Sequence, residues 1–299
     1  MNLEQPINIL VQRRAAIGDI IMTTGVVREL KRKYGTNANI DISTDFAEPY
    51  RNNPYIRNIF PVDQIPPVNN RYEMYVNLDD AYENNPTEHY VDNYFYRVFG
   101  SGAANLDKSV ELFPTDDDRA LVDTSLLLTD LGDKFIVVHI RNWHWPAKNI
   151  SLDIWLDVFG QLFEERADFK IVCVGGPSDH IVDHPLFIDG RKYNSQQLKY
   201  LCDHANAFVG IDSGPFQCAA ASNTHIVALL THLHPDRILP FRDGKLGHNC
   251  TVIRTLEDCA GCNDIQQRPI RQLVCGKTTF PCANNFDSTA IAQAILKQL

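Results

Sequence analysis

The sequence predicts an α/β protein built from two doubly wound domains. Its 299 residues are about twice the length of a common single domain. Short β-branched apolar runs alternate with segments of helical periodicity, and this alternation occurs twice, on either side of a stretch at 114–133. Strand–helix alternation is typical of a parallel sheet covered by helices. We therefore predict an N-terminal domain at 1–125 and a C-terminal domain at 126–299, with the final helix a candidate for packing back on the first domain.

Composition and charge exclude several classes of protein. Hydrophobic residues make up 44% and charged residues 22% of the chain, which are globular values and exclude a disordered or fibrous protein. No apolar run reaches the roughly 20 residues that cross a bilayer, and no secretory signal is visible, so we expect a cytoplasmic protein. The net charge is 28 − 37 = −9. This acidic balance argues against general nucleic-acid binding, although it does not exclude a local basic groove.

The first domain opens with the β-branched run Ile7–Val11, which predicts a buried strand. After a tight loop, apolar residues recur at helical spacing from Ile20 to Tyr34. Three basic residues in the last turn and Gly35 after it are typical of a helix C-terminus. The remaining predicted elements are strands at 39–43, 56–62 and 74–78 and a helix at 88–99.

The second domain repeats the pattern. Strands are predicted at 135–140, 169–174, 207–211, 225–230 and 250–254, and helices at 152–165, 196–204, 216–221 and 288–299. Two such domains face a cleft, where ligands of doubly wound folds bind.

Gly18 and Asp19 form the first candidate site. Gly18 allows a tight turn between the first strand and its helix, and Asp19 lies at the helix N-terminus, on the sheet edge that faces the cleft. A carboxylate there can accept a proton from an incoming hydroxyl. An ordinary helix cap is the alternative.

The stretch Asp212-Ser213-Gly214-Pro215 forms the second candidate site, because a buried strand runs directly into a helix there. Asp212 or Ser213 suits the N-cap, and Pro215 suits the first helical position. Free backbone N–H groups and the positive end of the helix can bind an anion, and Gly214 allows a phosphate to approach. A well-capped turn without a ligand is equally compatible.

The loop after the strand at 135–140 supplies the third candidate site. Arg141 and Lys148 lie on the same sheet edge and suit a diphosphate, although a solvated basic loop is the alternative. His139 ends that strand and is a further candidate for ligand contact. His232 and His234 follow another strand, but no second pair of histidines completes a metal site.

The fourth candidate site is a cysteine cluster, Cys259, Cys262, Cys275 and Cys282. A CxxC pair followed by two further cysteines predicts a tetrahedral thiolate site for zinc or iron. Two disulfides or free thiols are the alternatives. No catalytic base lies beside the cluster, so we expect a structural metal and no catalytic one.

Several stretches, in order, resemble heptosyltransferases of glycosyltransferase family nine, which have the GT-B architecture. The segment from Arg14 to Thr24, with its Gly-Asp pair, is similar to the family's opening motif. Gly175-Gly176-Pro177 and Gly210–Pro215 resemble its two nucleotide-side signatures. The cysteine loop is similar to the iron-binding finger of autotransporter heptosyltransferases.

The resemblance implies a role for each matching residue. Asp19 would be the base and Lys148 the phosphate contact, while the diphosphate would be held by Asp212, Ser213 and Gly214. Asp179, past the turn at Gly176, is the nearest candidate for a ribose contact. At one position of the phosphate site the chain departs from the family, since Gln217 stands where the family usually has histidine.

The resemblance further implies an inverting transfer of a sugar from a nucleotide-diphosphate donor, and ADP-heptose is the favoured donor. The acceptor would be a hydroxyl of lipopolysaccharide or of a protein, or, less favoured, hydroxymethylated DNA. A GT-B nucleotide-sugar epimerase and a non-catalytic sugar-nucleotide-binding module remain as rival functions.

Overall fold

The computed structural model describes residues 6–64, 71–85, 87–128, 134–142, 145–262, 275–277 and 279–299. These residues form two parallel sheets, each packed with helices, as the strand–helix alternation predicted. Two predicted features lie partly outside the described residues. They are the domain boundary, at 129–133, and the cysteine loop, over most of its length.

The first sheet has four parallel strands in the order β3-β2-β1-β4. They are β1 (Ile7–Gln12), β2 (Ala38–Ser43), β3 (Ile56–Phe60) and β4 (Met74–Asn77). Because side chains alternate along a strand, Ile9 and Val11 point to one face, where they share a core with Val27 and Leu30.

The helix predicted after the first strand is two helices, α1 (Ile17–Met22) and α2 (Thr24–Tyr34). They are separated at Thr23, whose backbone N–H donates to the carbonyl three residues back, that of Ile20, where an α-helix would bond four residues back; its hydroxyl donates to the same carbonyl. The C-terminus of α2 is as predicted, with Gly35 at a φ of 70°. The third helix, α3 (Tyr90–Phe99), begins after His89, whose Nδ1 accepts a hydrogen bond from the backbone of Val91.

The second sheet has six parallel strands in the order β12-β9-β8-β5-β6-β7. They are β5 (Phe135–Val138), β6 (Lys170–Cys173), β7 (Phe187–Asp189), β8 (Ala207–Gly210), β9 (His225–Leu230) and β12 (Cys250–Arg254). Strand β7 and the hairpin β10 (Phe241–Arg242) and β11 (Lys245–Leu246) were not predicted, because runs of two or three residues carry no readable periodicity.

The helices around this sheet are α4 (Asp116–Leu128), α5 (Leu152–Glu165), α6 (Ser195–His204), α7 (Gly214–Ala220), α8 (Pro235–Ile238) and α9 (Ser288–Leu296). Helix α4 packs on α6, although the division at residue 125 assigns it to the first domain. The final helix α9 packs on α5, β9 and β12 of the second domain rather than on the first. No helix among the described residues is long and apolar enough to cross a membrane.

The two domains meet where α1 packs against α7. Ile21 of α1 lies in a core cluster of the second domain, and Leu230 and Leu233 lie in the core cluster of the first. This packing brings the N-termini of α1 and α7 to the same place, at the carboxyl edges of both sheets.

Candidate active site between the domains

Asp19 is the third residue of α1 and lies at the domain junction with 14% of its side chain exposed. Its Oδ2 accepts a hydrogen bond of 2.8 Å from the backbone of Ala16, which fixes the carboxylate over the first turn. Its Oδ1 accepts from the hydroxyl of Tyr82 at 2.8 Å and lies 3.4 Å from that of Tyr94. Arg13 forms an ion pair with the same oxygen at 3.3 Å. Asp19 is therefore held in a defined position as a partly accessible carboxylate.

The groups behind Asp19 are buried and polar. Arg13 donates to Glu83 at 2.8 Å and to the carbonyl of Leu78 at 3.2 Å. Burial, and then the charge of Asp19, raises the pKa of both Tyr82 and Tyr94, so their hydroxyls keep their protons and donate to Asp19. Burial also raises the pKa of Glu83 despite its ion pair with Arg13.

Helix α7 faces Asp19 from the second domain. Ser213 is its N-cap and accepts a hydrogen bond from the backbone of Phe216, and Gly214 is its first residue. Pro215 is therefore the second residue of the helix, whereas the sequence predicted it at the first. A Cβ added at Gly18 would lie 3.5 Å from the backbone nitrogen of Gly214, so the two glycines adjoin across the domain junction.

A hydrogen-bonded chain behind α7 fixes the cap. Ser213 Oγ lies 2.9 Å from Nδ1 of His139, and His139 Nε2 lies 3.0 Å from Oδ2 of Asp179. Although burial opposes it, hydrogen bonds from His139 and from the backbone of Asn142 and Gly176 hold the pKa of Asp179 below its usual value. Asp179 is thus a carboxylate that accepts from His139 Nε2–H, which leaves Nδ1 to accept the proton of the Ser213 hydroxyl.

Two cations and an amide surround the N-terminus of α7. Lys148 Nζ lies 2.5 Å from Oδ2 of Asp212 and 3.3 Å from its carbonyl oxygen. Burial lowers the pKa of Arg141, although Asp212 and Asp179 oppose the shift. Nε of Arg141 and Nε2 of Gln217 are buried without a hydrogen-bond partner. Both are donors, so they suit the oxygen atoms of an anion.

The four cysteines lie at the two ends of the predicted metal loop, but among the described residues the ligand atoms that come within 4.8 Å of one another belong to Glu257, Asp258 and Cys259, not to the four thiols. Burial raises the pKa of Cys282 to about 11, and the thiols of Cys262, Cys259 and Cys275 act on it in the same direction. Both ends of the cysteine loop are tied to the site. The backbone of Gly261 donates to the carbonyl of Thr231 at 3.0 Å, and that of Ser151 donates to the carbonyl of Ala283 at 3.0 Å.

The structure brings most of the predicted residues together. The set at the domain junction is Gly18, Asp19, Arg141, Lys148, Asp212, Ser213, Gly214 and Gln217. Gly176 and Asp179 lie behind it, and both oxygens of Asp179 accept hydrogen bonds from the protein itself. Sequence reasoning missed the roles of Tyr82 and Arg13 toward Asp19, although Arg13 lies in the same tight loop.

Two Rossmann-like domains that meet at a shared junction are the architecture of the GT-B fold. A family model described as glycosyltransferase family 9 (heptosyltransferase) matches residues 191–269, which include Ser213 and helix α7 but not Arg141 or Lys148. This match confirms the predicted resemblance and bears out the prediction of a glycosyltransferase enzyme. No curated protein matches the chain significantly.

Solved structures share the whole fold at low sequence identity. A family 9 glycosyl transferase from Veillonella parvula is 16% identical, with a TM-score of 0.70 over 100% of this chain and 98% of that one. The ADP-heptose lipopolysaccharide heptosyltransferase II of E. coli is 17% identical, with a TM-score of 0.67 over 98% and 99%. The iron-containing dodecameric glycosyltransferase TibC of enterotoxigenic E. coli is 13% identical, with a TM-score of 0.69 over 100% and 77%. These similarities confirm the predicted GT-B fold.

Proposed function

We propose that the chain transfers a sugar, with inversion, from a nucleotide-diphosphate donor to an acceptor hydroxyl. The observation that supports this proposal is that two groups of functional residues, one from each domain, face each other across the domain junction. Asp19 belongs to one group, and Lys148, Arg141 and the N-terminus of α7 belong to the other. A base and a leaving-group cradle are the two parts that direct displacement at an anomeric carbon needs.

On the donor side, the diphosphate lies against Lys148, Arg141 and Gln217. The buried donors of Arg141 and Gln217 pair with phosphate oxygens, and Lys148 turns from Asp212 toward the phosphate as negative charge develops there. Ser213 and Gly214 hold the backbone of α7 close enough for the phosphate to approach, and the chain through His139 and Asp179 fixes Ser213.

On the acceptor side, Asp19 receives the proton of the attacking hydroxyl. The acceptor oxygen forms a bond to the anomeric carbon from the face opposite the diphosphate. The bond between that carbon and the phosphate oxygen breaks, and the nucleotide diphosphate leaves with the electron pair. Attack from the opposite face inverts the anomeric configuration.

ADP-heptose is the donor that we favour. Among proteins of similar fold, TibC has been solved in complex with ADP-D-β-D-heptose and E. coli WaaC with ADP-2-deoxy-2-fluoro heptose. The acceptor is a hydroxyl of a glycolipid or of a protein, and the net charge of −9 disfavours nucleic acid.

The spacing of the four cysteines supports a structural metal. Thiolates suit zinc and iron alike, and a metal on Cys259, Cys262, Cys275 and Cys282 would stabilise the loop that carries them. The acidic neighbours Glu257 and Asp258 are paired with Lys277 at 2.6 and 2.7 Å, so they are not needed as ligands.

The role of Asp19 is tested by Asp19→Asn, which keeps its shape and removes its charge. We expect transfer from ADP-heptose to fall by about 100-fold or more, because the base is lost, while the affinity for ADP changes little. Asp63→Asn, an exposed carboxylate beyond β3, is the matched control and should leave the rate unchanged. Transfer by Asp19→Asn at the wild-type rate would contradict the assignment.

Product analysis separates the rival functions. Incubation with ADP-heptose and no acceptor yields an epimerised nucleotide sugar only if the chain is an epimerase. If the chain binds ADP-heptose but yields neither an epimer nor a glycosylated product with glycolipid and protein acceptors, the non-catalytic binding module is favoured.

A further inference from the structure

His232 follows β9 and is buried, with 2% of its surface exposed. Its Nδ1 lies 3.1 Å from the hydroxyl oxygen of Thr231, and that oxygen lies 2.7 Å from the carbonyl oxygen of Ala147. A carbonyl only accepts, so the single hydroxyl proton of Thr231 is donated to Ala147. Nδ1 of His232 must therefore carry the proton and donate it to Thr231. This assigns the lone pair of the neutral ring to Nε2.

Nε2 of His232 is buried and has no hydrogen-bond partner in the structure. A buried acceptor without a partner is costly and calls for an explanation. Burial, and then the positive charge of Lys148, holds the pKa of His232 down at about 3, so the ring stays neutral at physiological pH. Through Thr231 the ring is linked to Ala147, the neighbour of Lys148, so it lies beside the proposed diphosphate site of Lys148, Arg141 and Gln217.

The unpartnered atoms in and beside the cradle differ in chemistry. Arg141 Nε and Gln217 Nε2 are donors and suit phosphate oxygens, whereas His232 Nε2 is an acceptor. A neutral acceptor cannot bond to a phosphate oxygen that carries no proton. It is complementary to a hydroxyl group.

The order of the strands indicates which part of the ligand supplies the hydroxyl that bonds to His232. The predicted nucleoside side, at the turn around Gly176, follows β6, while His232 follows β9. Strands β5 and β8, whose ends carry the diphosphate cradle, lie between them in the sheet. A ligand with its nucleoside at β6 and its diphosphate over β5 and β8 therefore extends its sugar toward β9.

We propose that His232 is a specificity-determining residue whose Nε2 accepts a hydrogen bond from a hydroxyl of the transferred sugar. This inference rests on the proposed function, since it requires a nucleotide-diphosphate sugar in the cradle. It assigns recognition of the sugar, rather than of the nucleotide, to the end of β9.

Two variants that replace His232 by an amide side chain distinguish the roles of the two ring nitrogens. His232→Asn places an amide near the position of Nδ1, where it can still donate to Thr231, and leaves nothing at Nε2. His232→Gln places its amide near Nε2, where its oxygen can accept. The affinities of the full chain for ADP-heptose and for ADP are measured by calorimetry, and the melting temperature of each variant reports folding.

We expect His232→Asn to weaken ADP-heptose about tenfold and to change ADP less than twofold, because only the sugar loses a partner. His232→Gln should bind ADP-heptose within about threefold of wild type. Equal losses for ADP and ADP-heptose, equal losses in both variants, or unchanged affinity in His232→Asn would each overturn the inference. If wild type binds neither ligand, the proposed function itself fails.

Discussion

Gly175 has a backbone conformation that no other residue adopts easily, with φ at 129°. A Cβ at this position would lie 2.2 Å from Oδ2 of Asp179 and 2.8 Å from the ring of His139. Neither neighbour can retreat without breaking the hydrogen bond that joins them and, through it, the bond to Ser213. A methyl group added at Gly175 therefore disturbs the N-cap of α7, because Asp179 and His139 connect the two positions through hydrogen bonds.

We predict that Gly175→Ala lowers the free energy of unfolding by about 2 kcal/mol or more, through strain and loss of the buried pair. We also expect the affinity for ADP to fall, because Ser213 loses its partner. Thermal unfolding and calorimetry measure the two effects. Gly160→Ala is the control, since a Cβ there meets nothing within 4 Å in helix α5 and should be neutral or stabilising. Similar stability of both variants would contradict the prediction.

Single residues of the site differ in how far the sequence predicts them. Asp19 could be found because a Gly-Asp pair between a strand and a helix is a local pattern. The tyrosines that hold it could not, since Tyr82 and Tyr94 lie 63 and 75 positions away and reach it only through the fold. Asp179 illustrates the opposite case, because the sequence places it near the nucleotide but does not reveal that its oxygens already accept protein N–H groups.

At the scale of elements, long periodic segments were predicted well and their interruptions were not. Helix α5 has the predicted bounds, because its apolar spacing is regular over 14 residues. The break between α1 and α2 was missed, because the spacing continues across Thr23 while the backbone N–H and the hydroxyl of Thr23 both bond to the carbonyl of Ile20. The break matters, since it makes α1 a separate short helix that can pack against α7.

The cysteine loop is an element whose effect reaches the site. Gly261, beside Cys262, donates to Thr231, and Thr231 donates to Ala147, beside Lys148. Ala283, beside Cys282, accepts from Ser151, shortly after Lys148. A metal on the cysteines would therefore fix the loops that carry Lys148 and His232.

We predict that the protein binds about one zinc or iron per chain and that Cys282→Ser removes most of it. Elemental analysis measures the metal, and we expect the melting temperature and the affinity for ADP-heptose to fall with it. Cys250→Ser is the matched control, because Cys250 lies on β12 outside the cluster and should leave the metal in place. Full metal content in Cys282→Ser, or wild-type protein without metal, would refute the four-cysteine site.

At the scale of the whole molecule, the two-domain plan could be predicted from the double strand–helix alternation, but the join between the domains could not. It depends on contacts between residues that are far apart in the chain. The side chain of Gln196, on α6, donates to the carbonyl of Pro49 at 3.2 Å and to that of Arg51 at 3.3 Å. No local pattern marks a buried glutamine as a partner for a distant loop.

Glu48 joins the domains by a second mechanism, as a carboxylate at the N-terminus of a helix in the other domain. It accepts hydrogen bonds from the backbone of Ser195 at 3.1 Å and of Gln196 at 3.4 Å, the first two residues of α6. A negative charge at this end of a helix is favoured by about 0.5–2 kcal/mol when partly buried. This contact between the two domains therefore depends in part on the charge of Glu48.

We predict that Glu48→Gln shifts the domains toward an open arrangement, because a neutral amide interacts more weakly with the end of α6. Small-angle X-ray scattering without ligand should show a larger radius of gyration, and saturating ADP-heptose should restore much of the wild-type value by bridging the two domains. Glu164→Gln, an exposed change on α5, should scatter like wild type. Identical scattering of Glu48→Gln and wild type, at equal stability, would mean that the apolar contact of α1 with α7 is sufficient to hold the domains together.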